Sequence, residues 1–77
     1  MNNLHNNSMN QSFEIYINNV PCEIKSNMNL PEVLKLFGAL QPYALLVNRT
    51  FIPSSKHNTL QLHPDDRIEV ISAIQGG

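Results

Sequence analysis

Cysteine is nearly missing from this chain: Cys22 is the only one among 77 residues. A lone thiol closes no internal disulfide and supplies no cysteine set for zinc or an iron–sulfur cluster, so a reducing compartment is the expected setting. Net charge is scarce as well. A formal charge of −1 gives no basic field to draw in phosphates, and nucleic acid is therefore not an expected partner. No apolar stretch approaches the roughly 18 to 20 residues that span a bilayer. The N-terminus also lacks the basic segment and apolar run of a secretion signal. These absences place the protein in the cytoplasm, or in a plastid stroma if the gene is organellar, with no membrane partner.

Groups for chemistry are few too. His5, His57 and His63 are scattered without i, i+4 spacing, so they read as surface histidines, and no metal site is expected. Gly38 stands alone, which excludes a phosphate-cradling glycine loop. Asp65-Asp66 precedes an apolar run and reads as turn chemistry rather than a metal site. Cys22 falls on the apolar side of an alternating run, where a thiol behaves as a small hydrophobe. Nothing here assembles a catalytic site.

What is present is a small α+β pattern. Residues 1–12 carry five asparagines and almost no apolar periodicity, which reads as a disordered leader. From Phe13 the chain alternates strictly, with Phe13, Ile15 and Ile17 on one face and Glu14 and Tyr16 on the other. Asn18-Asn19 tolerates the positive φ of a type I′ turn, which predicts a hairpin into Val20 to Lys25 with Val20, Cys22 and Ile24 on the buried face. Asn29 with Glu32 three residues later predicts an N-cap and capping box, with Pro31 harmless in the first turn. Leu30, Val33, Leu34 and Phe37 form one apolar helix stripe, and Gly38 stands at the C-cap. Tyr43 to Asn48 reads as a third strand, followed by a turn at Asn48-Arg49 and by Phe51-Ile52. A further short strand is expected near Leu60, and the last strand runs from Arg67 to Ile71. One helix must then cover one face of a mixed sheet of four to five strands. That is a β-grasp pattern, a domain over 13–72, with the first and last strands side by side in the middle.

The sequence ends Gly76-Gly77, straight after the alternating run. Residues 73–77 read as a flexible tail, and glycine's missing Cβ would let it approach another protein closely. Ile74, Gln75 and Gly76 would thread a narrow channel, and Gly77 would present its carboxylate as the reacting group. Taken alone, a glycine pair is also what a frayed terminus shows. If Ile68 and Val70 face the helix, Glu69 and Ile71 face outward with Tyr16, Ala44 and Leu46 on neighbouring strands. Those side chains form a candidate partner-binding patch beside the tail, set against the alternative of isolated surface hydrophobes.

Residues 13–77 resemble the ThiS family of thiamine-pathway sulfur carriers, within the ubiquitin-like β-grasp superfamily that also holds the MoaD type. The resemblance rests on the hairpin, the capped helix Asn29 to Phe37, the Leu45-Leu46-Val47-Asn48-Arg49 segment with Ile52-Pro53 behind it, the Asp65 to Ile71 run and Gly76-Gly77. It implies that a ThiF-like activating enzyme uses ATP to convert the Gly77 carboxylate to an acyl-adenylate. Sulfur, from a donor such as a cysteine desulfurase, would replace the nucleotide, and the thiocarboxylate would pass to a ThiG-like thiazole synthase. The chain would then be a protein cosubstrate with no stably bound cofactor. Two departures stand out: the leader is additional, and Gln75 occupies a position where small residues are often seen. The small subunit of molybdopterin synthase is the nearest rival, but Ile71 to Gln75 carries no proline pair. A ubiquitin-like modifier and a plain β-grasp binding module are the remaining readings.

Overall fold

Alternation of apolar and polar residues builds the first hairpin. In the computed structural model, which describes residues 11–72, β1 (Ser12–Ile17) pairs antiparallel with β2 (Val20–Lys25). Asn18 and Asn19 between them take φ of 51° and 70°, the left-handed values that a two-residue type I′ turn requires. β1 starts one residue early. Ser12, read from the sequence as leader, pairs with Lys25, while residues 1–10 lie outside the described residues.

The helix α1 (Leu30–Phe37) is bounded by its own side chains. Asn29 Oδ1 accepts from the Glu32 N–H at 2.9 Å, and the Glu32 carboxylate accepts from the Asn29 N–H at 3.0 Å. Two donors with no intrahelical partner are thereby satisfied. At the other end Gly38, at φ 96°, donates its N–H to the Leu34 and Lys35 carbonyls, a left-handed cap that a Cβ would strain.

β3 (Tyr43–Val47) and β4 (Thr50–Ile52) form a second hairpin around Asn48 and Arg49, at φ 50° and 72°. The strand expected near Leu60 is absent. After Pro53, the chain closes local bonds instead: a 3-10 turn at Ser54–Lys56, then the Leu60 N–H to the Lys56 carbonyl at 3.0 Å. Backbone groups committed to turns are not free for a ladder. Leu60 and Leu62 still reach the core from this irregular segment.

β5 (Arg67–Ser72) completes a five-stranded sheet in the order β2-β1-β5-β3-β4. It lies parallel to β1 and antiparallel to β3, so the last strand is the central one, as the sequence pattern predicts. The core sits between the inner face and α1: Ile15, Ile17, Ile24, Leu45, Val47 and Ile68 from the sheet meet Leu30, Val33 and Leu34 from the helix. Each such side chain stabilises the fold by about 1.5 to 3 kcal/mol through burial. This is the β-grasp arrangement. No helix among the described residues is long and apolar enough to cross a membrane.

Two assignments to the buried face need correction. Phe37 is 36% exposed, because at the last turn of α1 it stands between two open grooves, one toward Cys22 and Ile24 and one toward Val70 and Ser72. Along β2, burial fades from Ile24 at 5% to half-buried Cys22 to Val20 at 48%. β2 is an edge strand, and the helix covers only its far end.

Candidate functional site

The sheet face away from α1 is open, and its register fixes which side chains meet there. On β5, Arg67, Glu69 and Ile71 point outward, alternating with Ile68 and Val70, which pack on the core. Across the ladder Ala44 stands opposite Ile71, Leu46 opposite Glu69, and Phe51 on β4 opposite Leu46. Ala44, Leu46, Phe51 and Ile71 therefore form one apolar surface over three strands. Ile71 is 56% exposed and Phe51 60%, while Ala44 and Leu46 are half-buried. Strand alternation points to Ala44, Leu46 and Ile71, and the structure adds Phe51 to them. The signal was there: the Asn48-Arg49 turn sets Val47 against Thr50, which puts Phe51 beside Leu46 on the outer face.

Tyr16 is also on this face, but not as open apolar surface. The Arg67 guanidinium carbon lies 4.5 Å from the ring centroid, a cation–π contact that covers the ring. The tyrosine hydroxyl donates to Glu14 Oε1 at 3.3 Å. Tyr16 and Arg67 thus close one end of the face with polar groups, and Arg49 and the turn asparagines line the groove beside them. Ile71 lies at the other end, one residue before the end of β5.

Two asparagine turns brace this central strand. Asn48 Oδ1 accepts from the Arg67 N–H at 3.0 Å, and its Nδ2 donates to Asp66 Oδ1 at 2.9 Å. Asp66, only 9% exposed, also accepts from the His63 N–H at 2.8 Å. The Asp65-Asp66 pair is turn chemistry, as its sequence suggests, with Asp65 at φ 68°. The buried carboxylate, however, ties the β3–β4 turn to the start of β5, a long-range role that sequence spacing does not reveal. At the other end Asn18 reaches Val70, with its Oδ1 accepting from the Val70 N–H at 2.9 Å.

Other candidate groups stay apart. His57 stacks on Tyr43 with ring centroids 6.1 Å apart and shares a hydrogen bond with the Ile52 carbonyl at 3.0 Å. His63 sits 3.8 Å from Asp66. Among the described residues no group of three or more histidine, cysteine or acidic side chains could hold a metal ion. Ile74, Gln75, Gly76 and Gly77 lie outside the described residues.

The family model that matches this chain is that of the ThiS family, over residues 15–77. The chain belongs to the ThiS family. The match opens inside β1 and takes in every later strand, the helix and the terminal Gly76-Gly77. Membership supports a sulfur-carrier role in thiamine biosynthesis, within a family of small carriers that are not themselves enzymes. Among solved structures, the thiamine biosynthesis protein (ThiS) from Geobacter metallireducens aligns with a TM-score of 0.68 at 16% identity, covering 84% of this chain and 100% of that one. At that identity the likeness speaks for the β-grasp fold. A comparison with curated proteins returns no match. In this ThiS-family chain, β5 carries the outward residues Arg67, Glu69 and Ile71 and leads at Ser72 into residues 73–77.

Proposed function

We propose that this chain carries sulfur for thiazole formation on its Gly77 carboxylate. A carboxylate oxygen attacks the α-phosphorus of ATP in a ThiF-like activating enzyme, and pyrophosphate leaves. The acyl-adenylate then holds AMP as a leaving group at a carbonyl that was inert as a carboxylate. The persulfide sulfur of a donor such as a cysteine desulfurase attacks the carbonyl and displaces AMP, a thiol reduces the resulting acyl disulfide and leaves as a disulfide with the donor, and the thiocarboxylate passes to a ThiG-like thiazole synthase. The chain contributes the acyl group and a docking surface, while partners supply the ATP site and the acid–base chemistry.

The observation that carries this reading is the family match running through Gly77. Placement of the tail's base at the end of the central strand supports it, since β5 is held by β1 on one side and β3 on the other. The apolar group Ala44, Leu46, Phe51 and Ile71 is the docking surface. It is an apolar patch, open at Phe51 and Ile71 and half-buried at Ala44 and Leu46, of the kind that marks a protein interface, and Ile71 is one residue before the end of β5. Intact-mass analysis after incubation with ATP, a sulfur source and a ThiF-type enzyme tests the proposal. Exchange of one oxygen for sulfur at the C-terminus is the expected result. An unchanged mass with an enzyme that activates its own carrier would refute it.

A further inference from the structure

β5 outruns the strand it pairs with. Its parallel ladder with β1 holds only Tyr16 with Arg67 and Ile17 with Ile68, yet the strand continues to Ser72. On the other side β3 accompanies it to the end, with Tyr43 opposite Ser72. The groups facing β1 accept or donate at every second residue. The Asp66 carbonyl accepts from the Tyr16 N–H and the Ile68 carbonyl from the Asn18 N–H, both at 2.9 Å. At Val70, the next in this series, β1 has already turned away. There the Asn18 side chain takes over: Oδ1 accepts from the Val70 N–H at 2.9 Å, and Nδ2 approaches the Val70 carbonyl at 3.5 Å. A carboxamide offers the same acceptor and donor as a peptide group. It continues the ladder by one step where no backbone remains.

We infer that Asn18 is a positioning residue for the sulfur-carrying end of the chain, acting through Val70 to hold the last part of β5 on the side that β1 has left. This rests on the sulfur-carrier reading above. Misplacement by even about 1 Å costs a reaction that depends on near-attack geometry as much as a hundredfold. Asparagine suits the turn, and its side chain does more than the turn requires. Glycine satisfies φ of 51° as readily as asparagine, but it has no side chain to reach Val70.

That contrast supplies the test. Asn18→Gly keeps the turn and removes the amide, whereas Asn18→Asp keeps an acceptor for the Val70 N–H and loses the donor. In the full chain, hydrogen exchange at the Val70 amide should quicken about five- to tenfold in Asn18→Gly, the loss of one hydrogen bond, and be largely restored in Asn18→Asp. In ATP–pyrophosphate exchange with a ThiF-type enzyme, Asn18→Gly should lower kcat/KM by about tenfold under conditions where circular dichroism shows the variant fully folded, with Asn18→Asp between it and the wild type. Wild-type exchange at Val70 in Asn18→Gly overturns the inference. So does wild-type kcat/KM once the amide protection is gone. A wild-type chain that supports no ATP–pyrophosphate exchange overturns the carrier reading instead, and the tail role with it. The amide measurement then decides the clamp by itself.

Discussion

Asp66→Ala removes the buried carboxylate that holds two parts of the chain together. Asp66 accepts from the Asn48 side chain at 2.9 Å and from the His63 N–H at 2.8 Å. Hydrogen bonds to a charged group contribute about 1.5 to 3 kcal/mol each. Asn48 and His63 are both exposed, so water can replace part of what they lose. The expected cost is therefore about 2 to 3 kcal/mol rather than the full sum. For a domain of this size, whose total stability is about 3 to 9 kcal/mol, that is a large share. It corresponds to a fall in Tm of about 10 to 20 °C. Asp66→Asn keeps the shape but turns an amide donor toward one of the two donors, so it should recover only part of the loss. Urea denaturation followed by circular dichroism gives the midpoints, with an unchanged slope showing that the same surface unfolds. A double-mutant cycle with Asn48→Gly, which preserves the positive φ of the turn, should yield a coupling energy above about 0.5 kcal/mol. An Asp66→Ala chain within about 0.5 kcal/mol of wild type, or strictly additive losses, would refute the clamp.

The other expectations concern the tail, the outer face and the core. Deleting Gly77, or extending the chain past it, should abolish thiocarboxylate formation with no change in circular dichroism; activity in either variant would sink the carrier reading. Leu46→Asp together with Ile71→Asp should weaken binding to the activating enzyme or the thiazole synthase by about 30-fold or more, because an interface would have to desolvate both charges. Calorimetric titration against each partner checks this, and Phe51→Ala should lose at least about fivefold in the same assay if it shares the surface. Leu34→Ala should cost about 2 to 5 kcal/mol as a buried truncation. Phe37→Ala should cost only about 1 to 2 kcal/mol, below the about 3 to 5 of a fully buried aromatic, since water already reaches the ring. Denaturation midpoints that reverse this order would show that the helix faces the sheet differently.

Local signals were the most legible part of the sequence. Asn18-Asn19, the Asn29 to Glu32 box and Gly38 each specify their own backbone conformation, and the structure places all of them as expected. The inward and outward faces of β5 follow from alternation alone. Phe37 shows the limit: its angular position matches Leu30 and Leu34, but periodicity does not say how far along the helix the packing partners extend. Leu60 and Leu62 suggested a strand because apolar alternation over so few residues fits either a strand or a turn with two anchors. The Asp66 clamp and the reach of Asn18 were not legible at all, since each joins residues far apart in the chain through a side-chain amide. Phe51 is legible only through its hairpin register, which sets it opposite Leu46. Gly77 and its neighbours were placed by motif, and their assignment rests on the family match.

The central place of β5 has a consequence for how the protein is made. Asn18 and Val70 are 52 residues apart, and the sheet cannot close until the last strand slots between two hairpins already formed. Pairings so distant in sequence are slow to find, because loop closure must precede any reward from the contact. On the ribosome, β1 through β4 would emerge as two separate hairpins, each with an unsatisfied edge, and isolated hairpins are marginal in water. A nascent chain interrupted before Arg67 has no middle to its sheet and leaves both hairpins open to proteases. Synthesis thereby proofreads itself: a molecule that has folded has also completed its central strand.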